Sequence, residues 1–431
     1  MENKNLLDSV VALCKRRGII FQNSEIYGGI GGFYDYGPVG VEMLNNLKRY
    51  WWKNMVDKRE NVVGIDGTII THPKVWEASG HVENFGEEVV ECKGCHQRFR
   101  PEDIEEKCPN CGKKDFTEPR SYNLLFQTEV GVIEGSKVKA YLRGEACQNI
   151  YLNFKNVVDS TRQQIPFGIT QIGKAFRNEV TPGRFTFRSR EFEQWDLQFF
   201  VHPNDMEKYF EYWKEERMKF YKSLYRKHDN LRFYQHPKDK LAFYAKDAYD
   251  IEYLAPWGWA ENEGIHWRGD YDLTQHMKFS GTDLTYTDPI TNEKYIPNIV
   301  ETSGGVTRTF LFLLLDAYEE EDLGEGNIRT VLKIHKDIAA YKAAIFPLVG
   351  NKEEIVNRAR EVFDLLSDSY KVVWDGRGNI GKRYRYQDEI GTPYCITIDY
   401  ETLDNGTVTV RDRDTMQQQR VKIEDLDEII S

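Results

Sequence analysis

The sequence predicts an α+β protein with more than one domain. Three observations favour this class. Apolar residues recur at helical spacing near the N-terminus, two strands joined by a Pro-Gly turn lie between Phe176 and Asp196, and apolar runs alternate with a helical pattern beyond Asn327. The chain has 431 residues and an apolar fraction of 40%, enough for two or three hydrophobic cores. We therefore expect a large N-terminal part and a separate C-terminal α/β domain of about a hundred residues.

Charge and composition limit the classes of partner. The net charge is −11, whereas proteins that coat nucleic acid without sequence preference are usually basic, so any nucleic-acid contact must use a local patch. The N-terminus has no apolar signal core, and no apolar run approaches the length of about 18 residues that spans a membrane. We expect a soluble, cytoplasmic protein with no membrane contact. The seven cysteines fit a reducing compartment because four of them form one cluster.

Two helices are predicted before residue 60. In the first, Leu6, Leu7, Val10 and Cys14 share a face, and Gly18 follows the last basic turn. The second, from about Val41 to Val56, is apolar on two sides, which indicates burial within its own domain or against a partner subunit. The glycine-rich segment between them matches neither a P-loop nor a Rossmann turn, and we interpret it as an irregular loop.

Composition also indicates the domain organisation. A segment rich in Cys, Lys and Glu at about 87–117 is predicted to be a small inserted module, and a charged, aromatic helix with a polar connection at about 203–250 is predicted to be a second insertion. The acidic, glycine-containing run Glu319–Asn327 indicates a boundary. The predicted domains are therefore 1–330 and 331–431.

The cysteine cluster predicts a metal site. Two CxxC pairs supply four thiolates: Cys92, Cys95, Cys108 and Cys111. Two such pairs can close a tetrahedron around a soft divalent ion, and four thiolates leave no open coordination position, so the role is structural. Zinc is favoured over iron. A nucleic-acid-binding ribbon remains an alternative function for this module.

The stretch from Phe176 to Asp196 predicts an anion site. If two strands flank the turn Thr181–Arg184, Arg177 and Glu179 share a face of the first strand. On the second strand one face holds Arg188, Arg190, Phe192, Gln194 and Asp196, while Phe187 points to the other face. Guanidinium groups bind phosphate and a ring can stack on a base, which suggests a nucleotide triphosphate site. A ladder of surface ion pairs is the alternative.

Several motifs resemble a known family. "FRNE" followed by a loop and "RSREF" resembles motif 2 of the class II aminoacyl-tRNA synthetases, "GIDGTIITHP" resembles motif 1, and "ETSGGVTRTFLFLLLDAY" resembles motif 3. "RGEACQNIYLNF" and "QDEIGTPYCITIDY" are similar to segments of the homodimeric glycyl-tRNA synthetases. The resemblance implies an antiparallel β-sheet catalytic core flanked by helices, with the zinc-knuckle insertion, and a C-terminal α/β domain that binds the anticodon.

The resemblance also implies an activity. Such an enzyme activates glycine with ATP to glycyl-adenylate and pyrophosphate, then transfers the glycyl group to the 3′-terminal adenosine of tRNA(Gly). The implied cofactors are structural Zn²⁺ and the Mg²⁺ that accompanies ATP, and the implied assembly is a homodimer. A basic cluster in the C-terminal domain could contact tRNA or could be a solvated turn: Arg377, Lys382, Arg383 and Arg385.

The matching positions imply two sets of site residues. Arg177 and Arg308 are the implied catalytic residues, on phosphate. The implied ATP-binding set is Arg177, Asn178, Glu179, Phe187, Arg188, Phe192, Glu261, Asn262, Gly305 and Arg308. The implied glycine-binding set is Arg100, Glu145, Phe192, Gln194, Asp196, Glu301, Ser303 and Gly305. The family usually has glutamate at the position of Asp196, and the residues after Glu145 also depart from its pattern, which bears on glycine affinity.

Other functions fit less of the chain. A non-catalytic, synthetase-like accessory protein that binds nucleic acid would be expected to lose the motif 2 and motif 3 arginines, yet Arg177, Arg188 and Arg308 are present. An enzyme that adenylates glycine but transfers it elsewhere, or that makes dinucleoside polyphosphates, leaves the anticodon-like domain unexplained. A zinc-ribbon binder accounts only for the cysteine module.

Overall fold

The computed structural model describes residues 4–133, 135–242 and 245–431. In these ranges the α-helices are α1 Lys4–Arg17, α2 Pro38–Trp52, α3 Pro73–Ala78, α4 His81–Asn84, α5 Gln148–Thr161, α6 Met206–Leu224, α7 Tyr271–Ser280, α8 Val306–Ala317, α9 Glu353–Ser367, α10 Ile380–Glu389, α11 Tyr400–Asn405 and α12 Leu426–Ile430. The strands are β1 Ile20–Gln22, β2 Tyr34–Tyr36, β3 Val62–Gly64, β4 Ile70–Thr71, β5 Gly86–Glu91, β6 Arg98–Phe99, β7 Arg120–Asn123, β8 Phe126–Val130, β9 Val138–Leu142, β10 Phe167–Phe176, β11 Glu191–Val201, β12 Leu231–Gln235, β13 Asp247–Ala255, β14 Gly258–Gly269, β15 Tyr286–Thr287, β16 Lys294–Tyr295, β17 Asn298–Gly305, β18 Tyr318–Asp322, β19 Ile328–Leu332, β20 Ala343–Pro347, β21 Val372–Trp374, β22 Tyr394–Ile398, β23 Thr407–Asp412 and β24 Gln418–Lys422.

A seven-stranded sheet forms the centre of the N-terminal part. Its strand order is β12–β13–β14–β17–β11–β10–β3, and each neighbouring pair is antiparallel except β10 with β3. Trp195 and Leu197 of β11 pack in the main core. Because side chains alternate along a strand, Gln194 and Asp196 point to the opposite face. That polar face is where a site can form.

Helices cover both faces of this sheet. The main core contains side chains of α2, α6 and α8, and α8 is buried along nearly its whole length. On the other face, Phe154 of α5 stacks near Phe167 and Phe200, and Leu273 of α7 belongs to the same cluster. α5 and α7 cover only part of the polar face. The end of this face that carries Gln194 therefore borders an open cleft.

The two N-terminal helices are present with shifted bounds. α1 ends at Arg17, and Cys14 is fully buried. α2 begins earlier than the expected Val41 because Pro38 occupies its first turn, where the missing N–H has no cost. A π-helical turn, Lys53–Asp57, follows it. Met43 of α2 is fully buried within the chain.

The segment expected to be a second insertion, at about 203–250, contributes to the central sheet. α6 packs on β14 and β17, and β12 pairs with β13 along the edge of the sheet. The cysteine-rich segment instead forms its own small sheet in the order β6–β5–β7. In the part of the chain that the structure describes, no helix is both long and apolar enough to cross a membrane.

The C-terminal part is built on a second sheet. Its order is β21–β20–β22–β23–β24, with the first three strands parallel and the last two antiparallel. α9 buries Ile355 and Val362 against it. The hairpin of β18 and β19 leads into this part, and the Nε of Arg329 donates to Asp388 of α10 at 2.8 Å. The predicted boundary at residue 330 falls inside β19, and the division into two domains stays a prediction.

Candidate active site

A cleft opens on the polar face of the central sheet. Its walls come from the end of β10, the loop before β11, and the facing ends of β14, β17 and α8. The lining residues are Glu145, Arg177, Glu179, Thr186, Phe187, Arg188, Ser189, Phe192, Gln194, Glu261, His266, Glu301, Ser303, Gly304, Gly305, Thr307 and Arg308. Strand register explains this convergence, because Gln194 lies opposite Gly305, and Gly304 lies opposite Glu263.

Arg177 is held with its charged end available. Its Nε donates to the carbonyl of Gly144 at 3.1 Å, and its guanidinium lies over the rings of Phe85 and Phe192, 5.1 Å and 5.4 Å from their centroids. Among the described residues no carboxylate forms an ion pair with Arg177. Its two terminal nitrogens can therefore accept an anionic ligand beside these aromatic rings.

The other two arginines are paired with acids. Arg308 lies 3.1 Å from the carboxylate of Glu261 and over the ring of Phe187, whose centroid is 4.6 Å away. Arg188 contacts the carboxylates of Glu179 and Glu87. Glu87 belongs to β5, the strand that leads into the cysteine-rich module. Both arginines are partly exposed and could exchange these carboxylates for phosphate oxygens.

The loop between β10 and β11 differs from the predicted hairpin. β10 ends at Phe176 and β11 begins at Glu191, so the residues from 177 to 190 form a long loop rather than two strands around a tight turn. A 3₁₀ turn at Phe185–Phe187 breaks the alternation. Phe187 therefore lines the same cleft as Arg188, instead of pointing away from it. Arg190 turns out of the cleft and donates to the carbonyls of Gly31 and Glu179.

Acidic groups cluster at the other end of the cleft. Glu301 accepts hydrogen bonds from Arg268 at 2.9 Å and from His266 at 2.7 Å. Burial opposes its charge, but Arg268 and the bond from His266 lower the pKa of Glu301 to about 2. Glu145 lies 3.1 Å from His81. Burial likewise opposes its charge, yet His81 and Arg268 hold the pKa of Glu145 well below its ordinary value. Both carboxylates are thus negatively charged.

Asp196 lies beneath this acidic end and is fully buried. Burial, and then the charge of Glu301, raise the pKa of Asp196 well above its ordinary value. One carboxylate oxygen contacts the Nε2 of Gln198, and the other has no hydrogen-bond partner among the described residues. Asp196 does not line the cleft, so it cannot contact a ligand there directly. It can act on a ligand only through its effect on the acidic residues that do line the cleft.

Three other predicted residues also lie outside the cleft. Arg100 pairs with Glu102 and Asp103 in the cysteine-rich module. Asn178 contacts the hydroxyl of Tyr122. Asn262 is fully buried on the far side of β14, where it bonds Tyr225 at 3.0 Å and Thr309 at 2.8 Å. The structure therefore brings together three of the predicted arginines, both aromatic rings and four of the predicted acids, but neither Asp196 nor these three side chains.

Sequence reasoning missed the cations that hold the acids. Arg268 is almost fully buried and bonds both Glu301 and Asp272, and His266 lines the cleft. Arg143 is also buried, and it bonds the Gln171 side chain at 3.0 Å. A usable signal was present in "ENEGIHWRGDYD", which carries many charged residues in a stretch otherwise typical of a buried strand. Buried charges need partners, so such a stretch indicates a network.

The four cysteines of the module converge. Their sulfur atoms all lie within 4.8 Å of one another, with 3.5 Å between Cys92 and Cys111 and 3.6 Å between Cys95 and Cys108. Four sulfurs at the usual Zn–S length of about 2.3 Å in a tetrahedron stand about 3.8 Å apart. The donor set and its spacing therefore fit a zinc ion.

In the C-terminal part, the predicted basic cluster divides. Arg383 is buried and donates to four backbone carbonyls, those of Pro347, Gly376, Arg377 and Gly378, so it stabilises the fold of its own loop. Arg377, Lys382 and Arg385 are exposed and form no ion pair among the described residues, although Arg385 contacts the side chain of Asn327. These three residues remain candidates for contact with nucleic acid.

Comparisons with known proteins agree with this architecture. A family model described as "tRNA synthetase class II core domain (G, H, P, S and T)" matches residues 126–318, and one described as "Anticodon binding domain" matches residues 342–431. These matches confirm the expected fold class, a class II synthetase core with a C-terminal anticodon-binding domain.

Curated relatives match over nearly the whole chain. The glycine–tRNA ligase of Borreliella burgdorferi is 51% identical over 97% of this chain and 96% of its own length. The glycine–tRNA ligase of Treponema denticola is 49% identical over 97% of this chain and 95% of its own length. That of Clostridium kluyveri is 48% identical over 100% of this chain and 99% of its own length. The chain therefore belongs to the glycine–tRNA ligase family of the class II aminoacyl-tRNA synthetases.

Proposed function

We propose that this protein is a glycine–tRNA ligase that uses the cleft on the central sheet for both of its reaction steps. The observation that carries the proposal is the meeting, in one cleft, of an arginine with free terminal nitrogens and two charged carboxylates. Arg177 is this arginine, and Glu145 and Glu301 are the two carboxylates. The arrangement suits a substrate pair with one phosphate chain and one ammonium group.

ATP occupies the arginine end in this proposal. Arg177 binds the α-phosphate, Arg188 and Arg308 bind the outer phosphates, Glu179 accepts from the adenine amine and Phe192 stacks on the ring. Gly305 permits close approach of the backbone. Phe187 packs beneath Arg308. Asn178 and Asn262 act by holding neighbouring elements, since their side chains are bonded elsewhere.

Mg²⁺ is expected to accompany ATP at Glu261. This carboxylate lies at the cleft beside Arg308 and is half exposed, which fits a metal that usually takes one or two protein carboxylates together with phosphate oxygens. The ion would neutralise charge on the phosphates. When the nucleotide enters, Arg308 would exchange Glu261 for a phosphate oxygen, and Glu261 would exchange Arg308 for Mg²⁺.

Glycine occupies the acidic end. Its ammonium group lies near Glu145 and Glu301, and the amide of Gln194 and hydroxyl of Ser303, which bond each other at 2.5 Å, border the same space. Burial favours the neutral form of Asp196, so its proposed role is to hold Gln198, which donates to Glu301 at 2.9 Å. Larger side chains are excluded by shape, and an enzyme whose substrate is the smallest amino acid can discriminate in this way without editing. Arg100 stays a weaker proposal as a glycine ligand because it lies in the module.

The chemistry needs positioning and charge rather than a covalent intermediate. A carboxylate oxygen of glycine attacks the α-phosphorus, and the bond to the bridging oxygen of pyrophosphate breaks. The terminal ribose hydroxyl of the tRNA then attacks the glycyl carbonyl, and AMP leaves. Arg177 stabilises the charge that develops at the α-phosphate in the first step.

The finer features of the assembly belong to the same proposal. Zinc holds the four cysteines and closes the module. A homodimer is supported by apolar side chains that a monomer leaves exposed on and beside the segment resembling motif 1: Ile69, Ile70, Val130 and Val138. The C-terminal domain, proposed to span 331–431, binds the anticodon arm, and the enzyme works in the cytoplasm.

Glycine-dependent exchange between ATP and pyrophosphate tests this function, followed by charging of tRNA. We expect exchange with glycine and none with alanine or serine, and transfer of labelled glycine to tRNA(Gly). Exchange with alanine but not glycine would overturn the substrate, and absence of exchange with every amino acid would favour the non-catalytic alternative.

A further inference from the structure

The base of the cysteine-rich module reaches into the proposed ATP site. β5 runs from Gly86 to Glu91 and passes directly into Cys92, the first of the four cysteines. At the start of this strand Phe85 contacts the guanidinium of Arg177, and Glu87 contacts that of Arg188. Two of the three arginines proposed to bind phosphate are therefore contacted by one short segment at the base of the module.

Glu87 bridges the cleft and the module. One of its carboxylate oxygens pairs with Arg188, and the same oxygen lies 3.9 Å from the guanidinium of Arg100. Arg100 in turn pairs with Asp103 at 2.9 Å, inside the module. Across the strands Glu87 lies opposite Tyr122, whose hydroxyl contacts Asn178 of the loop before β11. A continuous chain of charged and polar contacts thus joins the module to Arg188.

The position of Glu87 is a poor one for a carboxylate whose only task is structural. Its second oxygen is buried and has no hydrogen-bond partner among the described residues. The pKa of Glu87 is raised above its ordinary value, mainly by burial. Arg188 opposes this rise, and the charge of Glu179 adds to it. The charged carboxylate is therefore held there mainly by Arg188, and leaving it so poorly satisfied is costly.

We infer that Glu87 is a latch that occupies Arg188 in the nucleotide-free enzyme and must be displaced by the outer phosphates of ATP. The inference rests on the proposed function, because it takes ATP as the ligand of Arg188. When phosphate replaces the carboxylate on Arg188, Glu87 keeps Arg100 as its remaining cationic neighbour. ATP binding thereby shifts the base of the module from the cleft wall towards its own Arg100.

The latch predicts that removing its charge tightens ATP binding. Equilibrium dialysis with Mg²⁺-ATP and no glycine measures the dissociation constant directly. Glu87→Gln, which keeps the size of the side chain, is expected to lower this constant about tenfold, which is equivalent to about 1.4 kcal/mol. Glu88→Gln is the matched control, because Glu88 is the next residue of β5 and is exposed; we expect a change of less than about twofold.

A second background separates the latch from simple repulsion between Glu87 and the phosphates. In Arg188→Gln protein Glu87 has no Arg188 guanidinium to occupy and keeps only Arg100, so adding Glu87→Gln should improve ATP binding by less than about threefold, because the coupling between the two sites is lost. An equal tenfold gain in both backgrounds would overturn the inference, as would unchanged or weaker ATP binding in Glu87→Gln alone.

The test remains informative if the first variant does not fold. Glu87→Asp withdraws the carboxylate by one methylene and is expected to tighten ATP binding about threefold; no tightening overturns the latch. Wild-type exchange with glycine reports on the proposed function separately. Normal exchange without tightening in the variants refutes the latch alone, whereas tight ATP binding without glycine-dependent exchange refutes the proposed function alone.

Discussion

Replacing Arg177 by alanine should abolish most amino-acid activation without unfolding the protein. Its guanidinium is fixed through one bond, from Nε to the carbonyl of Gly144, and lies over two rings, which leaves the two terminal nitrogens for the α-phosphate. A hydrogen bond to a charged group contributes about 1.5–3 kcal/mol. Two such bonds formed in the transition state are worth roughly 3–6 kcal/mol, and each 1.36 kcal/mol is tenfold in rate. We therefore expect kcat/KM to fall by roughly 10²–10⁴-fold.

The assay for this prediction is glycine-dependent exchange between ATP and pyrophosphate, with thermal denaturation in parallel. Arg177→Lys is the matched variant, since it keeps the charge but loses the planar fork, and it should lose about 10–100-fold. The melting temperature should fall without loss of the fold, because the alanine variant loses two ring contacts worth about 0.5–1 kcal/mol each and one hydrogen bond to a carbonyl worth about 1.5–3 kcal/mol. A fall of less than tenfold in a well-folded Arg177→Ala protein would refute the role assigned to this side chain.

Three further predictions concern metal, pH and buried charge. Elemental analysis should find about one zinc per chain, lost in Cys108→Ser, and a folded, metal-free wild type would contradict this. Although burial disfavours its charged ring, the hydrogen bond to Glu301 raises the pKa of His266 above 6.5. The stabilisation from protonated His266 is complete below that value and is lost as pH rises through the folded-state pKa. The difference in melting temperature between wild type and His266→Asn should therefore narrow as pH rises above about 6.5, and a constant difference would contradict this prediction. Glu263→Gln should destabilise the fold by about 3–5 kcal/mol, because it leaves Arg217 buried without its counter-charge, and a loss below about 1 kcal/mol would show that the pair matters little.

Local patterns in the sequence anticipated the helices well. α1 follows from apolar spacing and from end signals within a few residues, and the helical pattern beyond Asn327 includes α9. The cysteine cluster was also predictable, because CxxC spacing fixes how two sulfurs turn inward, and the four sulfurs do converge. In each case the information is carried by residues that are close together in the chain.

Features that depend on distant residues were not predictable in the same way. The pairing of β12 with β13 makes the segment after α6 part of the central sheet, and nothing near β12 in the sequence names its partner. The loop before β11 contains a 3₁₀ turn that places Phe187 in the cleft, because local turn geometry overrides strand alternation. The buried pairing of Arg268 with Glu301 likewise joins residues of different strands. Resemblance to family motifs supplied the candidate site residues where periodicity could not.

The most direct test is a structure of the protein bound to a non-hydrolysable analogue of glycyl-adenylate. We predict that the analogue fills the cleft, with its phosphate-like group within hydrogen-bonding distance of Arg177 and its amine facing Glu145 and Glu301. An analogue bound elsewhere, or bound in the cleft with its amine away from both acids, would contradict the assignment of this cleft to glycine activation.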